Sequence, residues 1–290
     1  MNALQSEYGM ERPNELQPIA LRADHLEQAL GLSRALSWPY RLEDWAFAHR
    51  LGRGFAVEAD GCLIGTALWW PYGDRYATAG MIIVAAEAQR RGVGRALMDA
   101  LLADSAGRSI MLNSTEEGLA LYARLGFKAR GYANQHQAVL TQAPKSKGME
   151  FTRAFQAGDR NAIYVLDHAA TGMERRALLD ALLAIAETRV IMRDGRIAGY
   201  GCIREWGRGL VIGPIVAATD GDARALIATL AAFHLGSFVR INLPADAGLS
   251  PWLESIGLPL VYREVAMVLG GAPEPGPDAT LFLQSNPSLG

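Results

Sequence analysis

The sequence predicts an α/β (α+β) protein made of two copies of one unit, each a mixed, mostly antiparallel sheet with flanking helices. Three observations carry this expectation. The 290 residues suffice for two units of ordinary domain length, each with its own core. The same elements recur in the same order at an offset of about 130 residues, which chance does not produce. Between the copies, Gln142 to Gly148 is a polar stretch with Pro144, Lys145 and Lys147 that reads as a linker and divides the chain into residues 1–142 and 149–290.

Each copy opens with a hairpin. Asp60-Gly61 and Asp194-Gly195 stand between apolar, strand-like runs, and Asp-Gly suits the two left-handed positions of a tight hairpin turn. Ile64-Gly65 and Ala198-Gly199 follow at matching distances. The next strand is Met81 to Val84 in one copy and Gly213 to Val216 in the other. A helix comes next: Val93, Ala96, Leu97, Ala100 and Leu101 share one face, and Ala225, Leu226, Thr229 and Leu230 repeat the pattern less cleanly. Short strands at Ser109–Leu112 and Phe238–Ile241 each lead to an asparagine, Asn113 or Asn242. A helix and turn close each copy, at Leu121–Phe127 and Trp252–Leu258, before a last strand. In this order the two strands joined through the main helix lie parallel and the others antiparallel.

Composition narrows the function. With 28 Lys and Arg against 30 Asp and Glu, the formal charge is −2, and no global basic field attracts nucleic acid. Cys62 and Cys202 have no metal-ligand spacing around them, so both are expected to be buried small hydrophobes in a reducing compartment, with no metal site. Met1 to Pro18 carries Glu7, Glu11 and Glu15 rather than a basic region and an apolar run, so no signal peptide is expected. No apolar run reaches membrane-spanning length. A cytoplasmic protein without a membrane partner is the expectation; the sequence leaves the oligomeric state open.

The segment that carries chemistry runs from Val84 through Gln89-Arg90-Arg91-Gly92-Val93-Gly94-Arg95-Ala96, from a buried strand through a tight loop into an amphipathic helix. A helix N-terminus leaves backbone N–H groups unpaired and carries partial positive charge, and glycines let a pyrophosphate come close to them. The loop lacks the Gly-Lys-Ser/Thr ending of a P-loop, so nucleotide hydrolysis is disfavoured.

Gln89-x-x-Gly92-x-Gly94 after a strand resembles the acyl-CoA pyrophosphate loop of the GNAT N-acetyltransferase superfamily. Asn113 and the Tyr-x-x-x-Gly-Phe run from Tyr122 to Phe127 extend the likeness over about residues 17 to 140. The resemblance implies acetyl-CoA, or another short acyl-CoA, as co-substrate. Backbone amides from Arg90 to Ala96, Val93 included, would hold its pyrophosphate. The main chain of Ile82, Ile83 and Val84 would pair with its pantetheine amides. Arg90, Arg91 and Arg95 would add positive charge, Asn113 would bond the pantetheine arm or cap the following helix, and Tyr122 would sit near the sulfur and protonate the departing thiolate.

An amine acceptor resembling lysine has a pKa of about 10.4 and must lose a proton before it attacks. Many members of the family place a carboxylate on the central strand, but Gly80 to Val84 contains none. Glu43, Asp44, His49 and Asp74 are candidate bases, with a water relay as plausible. Trp38, Tyr40, Trp45, Trp69, Trp70, Tyr72 and Tyr76 cluster in segments the family uses on its acceptor side; they could line an acceptor pocket or pack a core. Trp69 and Trp70, adjacent on a strand, must face opposite sides.

At the second copy's loop, Asp220 and Asp222 replace the paired glycines, and Leu253 stands in place of Tyr122, so that half resembles the degenerate C-terminal domain of two-domain members of the family. Its Glu205-Trp206-Gly207-Arg208 turn is either a solvated hairpin or one wall of the acceptor pocket. Acetyl transfer to a primary amine of a small molecule is the reading that fits best. The alternatives are a non-catalytic acyl-CoA sensor and a protein or peptide N-acetyltransferase.

Overall fold

The computed structural model describes residues 17–290, so all but the last two residues of the Met1–Pro18 stretch lie outside the described residues. The first half runs β1 (Ile19–Ala20), α1 (Leu26–Ala35), α2 (Leu42–Leu51), β2 (Arg53–Ala59), β3 (Cys62–Tyr72), β4 (Tyr76–Val84), α3 (Val93–Asp104), β5 (Ser109–Ser114), α4 (Leu119–Arg124) and β6 (Lys128–Val139). The second repeats the order as β7 (Thr152–Ala154), α5 (Arg160–Thr171), α6 (Arg176–Ile185), β8 (Glu187–Arg193), β9 (Arg196–Trp206), β10 (Gly209–Ala217), α7 (Asp220–Ala232), β11 (Phe238–Pro244), α8 (Ser250–Ser255) and β12 (Leu260–Leu269), and adds β13 (Thr280–Leu283).

Both Asp-Gly turns form as the sequence predicts. Asp60 and Gly61 have φ of 51° and 75°, and Asp194 and Gly195 have 49° and 74°, the doubly left-handed geometry of a two-residue hairpin. Helix α7 explains its own indistinct periodicity: every residue from Ala225 to Ala231 is buried, so no polar stripe marks a face. Cys202 is buried as expected. Cys62 is exposed instead, because it opens β3 directly after the hairpin turn, where the strand has not yet entered the core.

All strands join one sheet in the order β1-β2-β3-β4-β5-β12-β6-β11-β10-β9-β8-β7, with β13 beside β10. The centre of that order is an exchange. β12, from the second half, lies antiparallel between β5 and β6, and β6, from the first half, pairs with β11. Each half therefore completes its sheet with a strand of the other, β12 in the first and β6 in the second. Apolar packing crosses the halves as well. One core joins Leu30, Trp45 and Trp70 of the first half to Leu178, Trp206 and Leu289 of the second. On the opposite face of the sheet, α3 and α4 cover a second core containing Trp69, Leu97, Ile110 and Tyr122. Between α5 and α6 a fully buried ion pair, Arg175 with Asp167, is completed by the Tyr200 hydroxyl donating to Asp167. No helix among the described residues is long and apolar enough to cross a membrane.

Candidate active site

The site begins where two parallel strands stop pairing. β4 and β5 are in register only at Tyr76, Ala77 and Thr78, opposite Ser109, Ile110 and Met111. Beyond them β4 carries a bulge at Met81, whose φ is 50° and whose carbonyl accepts the Thr66 hydroxyl at 2.8 Å. The bulge shifts the alternation by one residue. Before it Tyr76 faces the α1/α2 core and Ala77 and Ala79 the α3 core; after it Met81 and Ile83 face α1/α2, while Ile82 and Val84 face α3. With β5 held on its far side by β12, the strands part and leave a wedge beside Gly80–Val84.

At the end of the wedge the chain makes a single turn at Ala86–Ala88, and the Gln89 side chain donates through Nε2 to the Val84 carbonyl at 3.3 Å, which ties the loop to the strand. Arg90 and Gly92 are left-handed, with φ of 61° and 94°. Gly92 is the N-cap of α3 and brings no capping side chain. The first bond within the helix is from the Ala96 amide to the Gly92 carbonyl, so the amides of Val93, Gly94 and Arg95 have no acceptor inside the helix. Gln89, Arg90, Arg91 and Arg95 are exposed around this opening, with Arg95 paired to Asp99 at 2.8 Å, while Val93 is buried. The backbone thus forms an anion-binding mouth at the end of the wedge.

Tyr122 on α4 lies in the core on the α3 side of the sheet. It is 7% exposed, lies edge-on to Phe127 with centroids 5.8 Å apart, and sits so close to Gly118 that a Cβ there would meet its ring at 2.7 Å. Burial pushes its phenol well above the usual tyrosine range. Asn113 lies on the other face. Its amide donates at 2.9 Å to the carbonyl of Pro287, in a C-terminal segment that folds across the first half. That segment presses Ser288 against Gly80 and accepts the Tyr72 hydroxyl on Leu289 at 2.5 Å. It forms the wall of the wedge on the α1/α2 side, a role that nothing local in the sequence indicates.

The aromatic cluster divides. Trp69, 2% exposed, lies in the α3 core and donates to Asp104 at 3.0 Å; Trp70, 1% exposed, lies in the α1/α2 core and donates to the Ala48 carbonyl at 2.8 Å. They face opposite sides, as neighbours on a strand must, and both are core packing rather than cleft surface. Trp38 stacks edge-on with Tyr40, and Tyr40 in turn with Trp206. Trp206, 6% exposed, comes from the β9–β10 hairpin and also meets Phe47 of α2. Glu205 beside it pairs with Arg41 at 2.6 Å, and Arg208 stacks on Phe238 at 3.7 Å. This hairpin clamps the two halves together.

Two of the candidate bases are engaged elsewhere. The buried Asp44 carboxylate accepts from the Arg41 side chain and amide and from the Gly207 amide, and His49 bonds the Leu21 carbonyl. Asp74, fully exposed, faces Arg108 at 3.6 Å. A different carboxylate lies on the α1/α2 side of the sheet. Ala266 pairs with Asn113, so Glu264, two residues away on the same strand, shares the face of Asn113, and burial raises its pKa against the opposing pull of Arg240.

The second half has the corresponding wedge, filled by its own chain. β10 and β11 pair in parallel only at Leu210, Val211 and Ile212, after which β13 pairs with Ile215, Val216 and Ala217 of β10. Helix α7 is capped by Thr219, whose side chain accepts the Asp222 amide, and Asp222 is paired with Arg193 at 2.6 Å. Strand, cap and carboxylate occupy the three places that stand open in the first half.

Known proteins share the fold and the sequence pattern of both halves. A family model described as Acetyltransferase (GNAT) family matches residues 20–127, and one described as Acetyltransferase (GNAT) domain matches residues 163–283. The chain is 30% identical over 233 residues to Uncharacterized N-acetyltransferase YitH of Bacillus subtilis (strain 168), covering 79% of this chain and 82% of that protein. Among solved structures, a putative acetyltransferase from Pyrococcus horikoshii superposes with a TM-score of 0.78 at 19% identity, covering 100% of this chain and 99% of that one. A tandem GNAT protein from the clavulanic acid biosynthesis pathway gives 0.63 at 16% identity, over 88% and 99%.

Proposed function

The chain belongs to the GNAT acetyltransferase family, and from that premise we propose that it is an acyl-CoA-dependent N-acyltransferase that moves an acetyl group from acetyl-CoA to a primary amine of a small molecule. The observation that carries the reading is the uncapped N-terminus of α3 at the end of the β4–β5 wedge, with Arg90 and Gly92 left-handed so that their backbone turns out of the way. The residues fit the group. The amides of Val93, Gly94 and Arg95 would hold the pyrophosphate, Arg90, Arg91 and Arg95 would add charge at the rim, and the open edge of Ile82 to Val84 would pair with the pantetheine arm as a strand would.

The acyl-CoA supplies an activated acyl group on sulfur; the protein's part is to orient it and to manage protons. Tyr122, on the α3 side of the sheet and held protonated by burial, would donate to the leaving sulfur. The acceptor comes from the α1/α2 side, between Tyr40, Asn113 and the C-terminal segment. The β4–β5 gap opens both faces of the sheet to one point, so donor and acceptor need not share a side. We place this chemistry in the cytoplasm.

The test is release of free thiol from acetyl-CoA by the full chain across amines, amino acids, aminoglycosides and peptides. Calorimetry should find one acetyl-CoA per chain. Absence of binding, or binding untouched by a bulky side chain at Gly92, would overturn the reading.

A further inference from the structure

Two half-buried ionic side chains on one face of the sheet have no ion-pair partner among the described residues. Glu264 on β12 is in register with Ala133, and Arg240 on β11 with Gln137, two residues of β6 an even number of positions apart. Both side chains therefore share the face of Asn113. Among the described residues Glu264 accepts no hydrogen bond and enters no ion pair. Among the same residues Arg240 makes one bond, from Nε to Asn242 Oδ1 at 2.9 Å, which leaves its two terminal nitrogens without an acceptor there. β6 runs between their strands and the two register positions lie four residues apart along it, so the two backbone positions stand roughly 16 Å apart and only the long side chains approach each other. The Tyr40 phenol lies within the field of both charges and beside Ser288.

Burial disfavours both charges. It raises the pKa of Glu264 and lowers that of Arg240, with only remote compensation between them. Desolvated charges in a folded protein are normally paired at close range. Two opposite charges held apart on one face of the sheet, beside the wedge, match a small ligand that carries both complementary charges.

We propose that the acceptor is a zwitterion, a small primary amine that also bears a carboxylate or phosphate, with its anionic group on Arg240 and its amine toward Glu264, which acts as the general base. This rests on the reading of the chain as an N-acyltransferase. Glu264 takes the proton that the bound ammonium must lose. The nitrogen forms the C–N bond as the C–S bond breaks, the thiolate takes the Tyr122 proton, the remaining surplus N–H proton returns through solvent to reprotonate Tyr122, and Glu264 releases its proton to solvent as the net proton of the reaction. The base missing from the central strand is then supplied by the exchanged strand of the second half.

The experiment is thiol release by the full chain with matched acceptors: common amino acids against their carboxamides, and O-phosphoethanolamine against ethanolamine. The charged member of a pair should be preferred about hundredfold in kcat/KM, and the better pair identifies carboxylate or phosphate. Arg240→Met should raise KM for the charged member about hundredfold and move the neutral partner far less. Glu264→Gln should lower kcat about hundredfold with little change in KM and remove the acidic limb of the pH profile. Arg196→Met, on the exposed hairpin turn, is the control and changes neither. Equal use of both members by the native protein, or equal weakening of both by Arg240→Met, overturns the proposal. If acetyl-CoA binds but no acceptor releases thiol, the transferase reading fails separately. Calorimetry of the same acceptors on the CoA-loaded protein then decides: binding of the charged member that Arg240→Met abolishes sustains the zwitterion pocket, and no binding ends it.

Discussion

Tyr122 can act in one direction only. With its pKa raised by burial, the phenol holds its proton through the neutral range, so it can give one to a thiolate and cannot take one from an ammonium. A raised pKa also carries the protonated form to higher pH, so no alkaline loss of turnover due to Tyr122 is expected below the ordinary tyrosine value of about 10. Tyr122→Phe should lower kcat by about hundredfold or more across that range while acetyl-CoA affinity, read by calorimetry, stays nearly constant. A fully active Phe variant would assign the proton to another group. Glu264 has the opposite sign of pH dependence. Its raised pKa places the loss of base function, as pH falls, above the usual carboxylate range, with Arg240, Tyr40 and Tyr262 the groups that feel its charge. The sequence points to Tyr122 because the motif around it is local, from Asn113 to Phe127. It is silent on Glu264 and Arg240 because only long-range strand pairing brings them beside the wedge.

At the scale of elements, the two glycines of the loop do different things. Gly92 has φ of 94°, where any side chain is strained. A Cβ on Gly94 would meet Leu121 at 3.4 Å and Val84 at 3.5 Å, which is ordinary contact. Gly94→Ala is therefore expected to fold with an unchanged Tm, and any loss of acetyl-CoA affinity, expected at about tenfold, reports crowding of the phosphate rather than damage to the helix. Gly94→Ala with native affinity would remove Gly94 from the binding surface. The hairpins, the main helices and the acidic second loop were all readable from turn chemistry and periodicity. The bulge at Met81 was not, because nothing about a methionine announces a left-handed residue. Nor was β13, a four-residue strand with three apolar residues whose partner lies more than 60 residues earlier in the chain.

For the whole molecule, the linker at Gln142 to Gly148 separates the halves in sequence, while β6 and β12 interlock them in space. A fragment of residues 1–145 lacks β12, exposes one edge of β5 and carries β6 without β11. It is expected to aggregate or to lose acetyl-CoA binding when made alone. Made together with residues 146–290, it should form a one-to-one complex on size exclusion and recover thiol release. A soluble, monomeric and fully active 1–145 fragment would contradict this. The exchange also governs the order of events during synthesis. β5 leaves the ribosome roughly 150 residues before β12, which at about 5–20 residues per second is a delay of roughly 8–30 s. Throughout that interval the nascent first half has a bare β edge and an incomplete catalytic cleft. The cleft becomes complete only once β12 has been made, and a message cut short anywhere before β12 yields a product that can be cleared but never closes that cleft.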